Sequence, residues 1–334
     1  MKAIILHAFG DPPRLEWGDR PEPQPRQGEV VVRVAASPIN PSDLIFLAGN
    51  NPNPRQLPTV PGFEGAGLVV RSGGGAEADR LLDQRVAFRS PHDRDGAWAE
   101  LVAADVKRCF ELEPHVSYVQ GAMLQVNPLT AWAMVHAALD LGHRAAVQTA
   151  AAGALGKMIA KLARAKGLTL IDVVRRQEQI DALRAMGERH VLNSESASFD
   201  ADLKALCDQL GATVAFEAVA GDLTNRILSA LPRKSEVWVY GGLSGKPIQL
   251  DPMVLVYHEK TVRGFWGPQS VYDAGPETVK RAVAEIQAQI ATVYRSEVQM
   301  LCPLSDFQRG LAKYAGSMSA GKVAFVPGDL HLRG

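Results

Sequence analysis

The chain has 334 residues, 46% of them hydrophobic, with 36 basic and 36 acidic side chains. That length allows two ordinary domains with a sizeable core, and the even charge argues against nucleic acid or a membrane surface as the main partner. Cys109, Cys207 and Cys302 lie far apart, which excludes a disulfide framework and a C-x-x-C metal or redox motif. With no signal-like or long apolar stretch, a soluble, cytoplasmic protein acting on a small molecule is the expectation.

Residues 1–118 carry short strand signals at 1–7, 29–35, 65–70, 85–88 and 97–102, with a Pro/Gly-rich turn region at 10–28. Many short strands separated by Gly and Pro predict a partly open barrel or a sandwich. From about residue 119 helical and strand patterns alternate. The helices are expected at 130–139, 155–166, 178–186, 201–210 and 223–231. The strands are expected at 145–149, 168–174, 191–192, 212–216, 236–240 and 261–265. This is the pattern of a doubly wound parallel sheet. A long helix at 276–294 follows, then strand, helix 304–315 and strand 322–326, which return to the first domain.

The stretch 145–176 organises the chain. A short apolar strand leads into Ala151-Ala152-Gly153-Ala154-Leu155-Gly156, a G-x-G-x-x-G fingerprint with Ala at its first position. Small residues there let a pyrophosphate approach the backbone, and Gly156 lets the helix pack close to the strand. The helix N-terminus offers free N–H groups and the positive end of its dipole. NAD-binding folds usually place an acidic residue at the end of the second strand, but here Asp172 lies inside the strand and Arg175-Arg176 leave it. Two guanidiniums suit a 2′-phosphate, so NADPH is the expected cofactor. The alternative is that both arginines only begin the next helix.

Several motifs resemble the medium-chain dehydrogenase/reductase superfamily: Ser37-Pro38-Ile39-Asn40-Pro41-Ser42-Asp43, Pro61-Gly62-Phe63-Glu64-Gly65-Ala66-Gly67, Asn127-Pro128-Leu129-Thr130-Ala131, the phosphate turn and Gly321-Lys322-Val323. The resemblance runs end to end. It implies an α/β protein with a GroES-like β-barrel catalytic domain (1–118 and 299–334), a Rossmann NADP(H)-binding domain (119–298), an active site in the cleft between them, and a homodimer. The zinc alcohol dehydrogenases of that superfamily carry Cys at the position of Asn40 and His at that of Phe63. Neither Asn nor Phe replaces such a ligand, so no metal is expected. Within the zinc-free branch, residues 39–43, 127–131 and Arg263-Gly264-Phe265-Trp266 resemble mitochondrial-type 2-enoyl thioester reductases, and the quinone oxidoreductases share much of the pattern. The enoyl reductases place Tyr after a Gly-Asn pair. This chain has Asn51 there, and an amide is no general acid at neutral pH.

The resemblance gives roles to further residues. Asn40 is a hydrogen-bond donor to a substrate carbonyl or to the nicotinamide ribose, or a turn residue before Pro41. Ser42 matches the proton-relay hydroxyl of the zinc enzymes, and Asp43 fixes its loop. Asn51 and Trp266 complete the catalytic candidates. Phe265 and Trp266 form a wall for nicotinamide or acyl chain, or are ordinary core aromatics. Tyr240, Gly241 and Gly242 end a strand where backbone meets cofactor. Asn127 and Thr130 hold nicotinamide ribose or phosphate, with an N-cap as the alternative for Thr130. Lys322 reaches the cofactor or is a surface lysine. His258 is expected to be a solvated or packed histidine. The expected activity is hydride transfer from NADPH to a quinone or to a C=C conjugated to a carbonyl. The alternatives are a 2-enoyl thioester reductase, a non-catalytic NADPH-binding protein and, distantly, a zinc alcohol dehydrogenase.

Overall fold

The computed structural model describes residues 1–328. The chain divides into two units, one made of residues 1–126 with 283–334 and the other of 127–282.

The first unit begins with β1 (Lys2–Ala8), β2 (Arg14–Asp19), β3 (Glu29–Pro38), β4 (Glu64–Ser72), β5 (Arg85–Arg89), β6 (Leu101–Asp105) and β7 (Cys109–Glu111). β1 and β2 form an antiparallel pair with Ile4 opposite Trp17. The 10–28 region is therefore not all turn: Arg14–Asp19 alternates and pairs with β1, a tertiary partner that overrides the surrounding prolines. The strand expected at 97–102 lies instead at 101–105, because residues 97–99 run past β1 with only one bridge, Ala3 to Ala99. β3 is apolar almost throughout, and Val30, Val31, Val32 and Val34 are all buried. It pairs with β4 on one edge and with β6 on the other.

The second unit holds β8 (Ala145–Thr149), β9 (Thr169–Val174), β10 (Val191–Asn193), β11 (Val214–Glu217), β12 (Glu236–Val239) and β13 (Thr261–Gly264). They form one parallel sheet in the order β10-β9-β8-β11-β12-β13. The strand order reverses between β8 and β11, the switch point where doubly wound sheets bind ligands at their carboxyl ends. Helices between the strands cover an apolar core that includes Val147, Ile171, Val173, Leu203, Ile227 and Val237. The helix Ala154–Lys166 buries Met158, Ile159 and Leu162, and Gly167 ends it in the left-handed conformation at φ 80°. Two helices of this unit went unread in the sequence, Pro252–His258 and Gly267–Asp273. Each has Pro in its first turn, a helix-start signal that competes with the reading of Pro as a loop marker.

The chain then re-enters the first unit. The helix expected at 276–294 stops at Ala288 and continues as irregular turns to the buried Tyr294. β14 (Val298–Pro303) and β15 (Lys322–Val326) are parallel, and the helix Phe307–Gly316 lies between them in the chain. β15 pairs antiparallel with the end of β3, Ala324 opposite Pro38 and Phe325 opposite Ser37. That pairing brings Lys322 beside Ile39, whose N–H donates to the Val323 carbonyl at 2.9 Å.

Candidate functional site

The turn after β8 is built to exclude side chains. Ala150 sits at φ 51°, a left-handed value that costs a residue with a Cβ. Gly153 is the N-cap of the following helix and supplies no capping side chain, so the first helical N–H groups keep their outward donors. A Cβ on Gly156 would stand 2.4 Å from the Ala151 carbonyl oxygen, so any side chain there must push helix and strand apart. A Cβ on Gly153 would meet only the Ala150 oxygen at 3.1 Å. Gly153, Ala154 and Leu155 are half-buried, while Ala151, Ala152 and Gly156 are buried beneath them. The cradle fits a dinucleotide phosphate: small residues, a free helix N-terminus and the switch point coincide.

β9 ends in the same sense. Asp172 is fully buried and accepts from Gln148 Nε2 at 2.5 Å. Burial pushes its carboxyl up to about 7. It is therefore packed inside the sheet and is not placed for a ribose hydroxyl. Arg175 and Arg176 are exposed just beyond, and Arg176 Nε lies 3.2 Å from Glu178.

Sequence reasoning missed Glu217, which ends β11 with no exposed surface. Its carboxylate accepts from Val219 N at 2.7 Å, Ala220 N at 2.8 Å, Thr224 Oγ1 at 3.1 Å and Thr149 Oγ1 at 3.2 Å. Thr149 Oγ1 in turn accepts from Ala218 N at 2.8 Å. The clasp ties the ends of β8 and β11 together and holds Ala220 at φ 65°. Tyr240 N donates to the Glu217 carbonyl at 2.9 Å and Leu243 N to that of Ala218 at 3.0 Å. A Cβ on Gly241 would come within 2.8 Å of the Ala218 oxygen. Tyr240, Gly241 and Gly242 thus run beside the cradle. The available signal was an acidic residue closing an otherwise apolar strand, Val-Ala-Phe-Glu.

Asn127 and Thr130 lie buried in the first turn of the helix Asn127–Asp140. Gly267 is pressed against Thr130, with room for no Cβ. Phe265 is buried and stacks on Trp238 at 5.0 Å, whereas Trp266 is 50% exposed. His258 is exposed at the end of the helix Pro252–His258.

The other sequence-predicted residues belong to the first unit. Asn40 caps the helix Pro41–Leu47, with its N–H donating to Asp43 Oδ2 at 2.7 Å. Its side chain is fully buried and engaged at both ends. Nδ2 donates to Glu64 Oε1 at 2.9 Å, and Oδ1 accepts from Lys322 Nζ. Glu64 Oε2 accepts from Gln125 N at 3.0 Å and Val126 N at 2.9 Å. Lys322 is buried, so it is not a surface lysine. It also donates to the Ile39 carbonyl at 3.4 Å and lies over the Tyr314 ring at 5.6 Å. Burial lowers its ammonium to about 8, against the pull of Glu64 and Asp43. Burial also raises Asp43 to about 7 and pushes Glu64 up. Ser42 is half-buried, and Asn51 Oδ1 accepts from Asn53 N at 2.9 Å. For zinc, this donor set is a poor match: an amide at position 40, an aromatic ring at Phe63, one carboxylate at Glu64 and a lysine ammonium beside them.

Comparison with known proteins agrees with both units. The zinc-binding dehydrogenase family matches residues 154–288, and the alcohol dehydrogenase GroES-like domain matches 26–114. A Mesorhizobium loti protein provisionally assigned as an NADPH:quinone reductase is 32% identical, with a TM-score of 0.89 over 98% of each chain. The Escherichia coli quinone oxidoreductase, solved with NADPH, shares the fold at 24% identity and a TM-score of 0.86, over 98% of this chain and 100% of that one. Human mitochondrial enoyl-[acyl-carrier-protein] reductase is 26% identical over 93% of this chain and 84% of its own. The chain belongs to the medium-chain dehydrogenase/reductase superfamily, with a GroES-like and a Rossmann-type unit.

Proposed function

We propose that this chain is an NADPH-dependent, zinc-independent oxidoreductase that transfers hydride to a quinone or to a C=C bond conjugated to a carbonyl. The observation that carries the reading is the side-chain-free turn 150–156 at the switch point, followed by Arg175 and Arg176 beyond a β9 whose only acid is buried. It agrees with the quinone reductases and enoyl reductases that the chain is similar to.

When bound, NADPH supplies the hydride. The chain's own part is recognition and shielding. Backbone N–H groups at the start of the helix Ala154–Lys166 take the pyrophosphate, and Arg175 and Arg176 take the 2′-phosphate. Tyr240, Gly241 and Gly242 bring backbone alongside the cofactor. Asn127, Thr130 and Phe265 are the proposed nicotinamide-side residues, with Trp266 at the edge. On the GroES-like unit, Ser42 and Asn51 are the proposed substrate-side groups, and Asn40 holds its loop. The zinc-free assignment is supported by the amide and ring at positions 40 and 63.

A second reading, reduction of enoyl thioesters, is favoured by the curated mitochondrial relatives. Asn51 speaks for quinones or small enones, since their reduced oxygens take protons from solvent and need no fixed acid. NADPH oxidation with a quinone, an enone and an enoyl-CoA, alongside metal analysis, tests the proposal. Turnover of the first two above the third is expected. No turnover of any, with NADPH bound, would make the chain a binding protein, and one zinc per chain would overturn zinc independence.

The proposal extends to a cytoplasmic homodimer. Cys109, Cys207 and Cys302 are free and buried, which suits a reducing compartment. β13 is the edge of its sheet, and Met253, Val256 and Tyr257 on the adjacent helix are exposed. Sedimentation at twice the monomer mass is the expected result.

A further inference from the structure

We propose that Arg89, Arg108 and His92 form an anion subsite beside Phe63 that takes a carboxylate on the electron-accepting substrate, with Arg55 as the charge behind it. The inference rests on the reductase reading and narrows its acceptor to one that carries an acidic substituent.

Three arginines and a histidine gather at one corner of the GroES-like unit. The last bonded pair of β5 and β7 is Phe88 with Cys109, so Arg89 and Arg108 are the residues just beyond it. Gln125 Nε2 holds both segments there, donating to the Ala87 carbonyl at 3.1 Å and to that of Arg108 at 2.7 Å. Ser90 N donates to the Phe63 carbonyl at 2.9 Å. The Arg55 guanidinium bonds the residues that follow Arg89, donating to Ser90 Oγ at 3.3 Å and the Pro91 carbonyl at 2.9 Å. His92 comes next, with its ring 6.4 Å from that of Phe63, and Arg55 Cζ lies 5.3 Å from the same ring.

The patch is sheltered at the back and open at one side. Arg55 is 4% and Arg89 8% exposed, Arg108 is half-buried and His92 is exposed. Arg55 Nε is buried with no acceptor among the described residues. Like charges gathered round one imidazole repel one another, and an anion relieves that repulsion. His92 records the field: it is lowered to about 4, by partial burial first and then by Arg89, Arg55 and Arg108, against the pull of Asp93. The acids nearby have partners of their own. Glu64 accepts from Asn40 Nδ2, Gln125 N and Val126 N, Asp95 accepts from Arg20 Nε at 2.8 Å, and Asp93 lies 3.5 Å from Arg26. Guanidiniums take a carboxylate in a bidentate fork, and Phe63 adds a flat apolar wall for the conjugated body that bears it. The sequence shows no such site, because Arg55, Arg89 and Arg108 are scattered until β5 and β7 pair and the 49–60 segment folds over them.

The test uses the full chain, alone and with NADP⁺, which permits no reduction. The probes are benzylideneacetone bearing a para-carboxylate, the methyl ester of that enone, and inorganic phosphate. Calorimetry gives affinity, and the NMR shifts of the His92 ring protons give its titration. The acid should bind about 10-fold tighter than its ester. It should also move the His92 titration up toward the ordinary histidine range, since an anion stabilises the imidazolium, and the ester should not. Arg89→Gln and Arg108→Gln should each remove most of the preference for the acid. The comparison of acid with ester in the wild type decides the matter even where a variant does not fold. Equal binding of acid and ester, or a preference unchanged in both variants, overturns the proposal. Phosphate that binds tighter than the acid overturns the carboxylate assignment. Turnover with NADPH separates this from the reductase reading. Equal KM for acid and ester sinks the subsite alone, whereas tight binding of the acid with reduction of neither compound sinks the reductase reading alone.

Discussion

At the carboxyl edge of the parallel sheet the chain makes a site by leaving side chains out, while the centre around Asn40 is made by filling a buried space with charged ones. The first depends on Gly153, Gly156 and Gly241 and on two alanines, Ala150 and Ala220, held in left-handed conformation. Its proposed charge recognition rests on backbone N–H groups and a pair of exposed arginines. The second depends on Asn40, Asp43, Glu64 and Lys322, which compensate one another. The difference teaches where each is vulnerable. A cradle fails when an atom is added, and a charge cluster fails when one is taken away.

The largest expected effect is therefore steric. Gly156→Val places carbon atoms inside the Ala151 backbone and should abolish NADPH binding, measured by fluorescence titration. Gly153→Ala, which meets only one oxygen, closely at 3.1 Å, should leave the fold intact and weaken binding. Equal behaviour of the two would break the comparison.

Next comes Glu217, a buried carboxylate on which the cradle leans. Glu217→Leu strands Val219 N, Ala220 N and two hydroxyls. Unsatisfied groups of this kind cost about 1–3 kcal/mol each, so a loss of about 4 kcal/mol in chemical denaturation is expected. Glu217→Gln, which keeps two acceptor sites on one oxygen, should lose about half as much. A loss below about 1 kcal/mol for Glu217→Leu would show that the clasp carries no weight.

Asp172 gives a pH test. Its carboxyl is raised from 3.8 to about 7 by burial. Between those values the folded chain holds a proton that the unfolded chain has released. Stability from this group is thus present at low pH and is lost as pH rises from about 4 to 7, at up to about 1.4 kcal/mol per pH unit. Asp172→Asn should remove that slope, so the variant gains on the wild type as pH rises. Parallel stability curves across the window would show that Asp172 is ionised throughout.

The smallest expected effect sharpens the exposed, charge-reading side of the cradle. Replacing Arg175 and Arg176 together with Ala should weaken NADPH by about 1.5–3 kcal/mol, roughly 10- to 150-fold, and NADH much less. Equal loss for both cofactors would remove the arginines from the 2′-phosphate.

Much of the Rossmann-type unit was legible in the chain because its signals are local. The β8 bounds, the helix that Gly167 stops and the buried position of Asp172 follow from apolar periodicity over a few residues. The same holds for the small-residue turn, since no other residue fits where two backbones meet. Asn40 and Phe63 were visible as departures from a motif, but the partners of Asn40 were not. Lys322 is 282 residues from Asn40, and nothing in its neighbourhood, Gly-Lys-Val, distinguishes a buried ammonium from a surface one. Glu217 gave only a weak signal, because a carboxylate closing an apolar strand reads as solvated until β8 and the following helix close over it. The sequence by itself determined where backbone needs room, which is a property of single residues and their nearest neighbours. Only the tertiary structure decided which buried charges meet, because that depends on strand pairings that join distant segments, and desolvation gives a charge its consequence only once those segments pack.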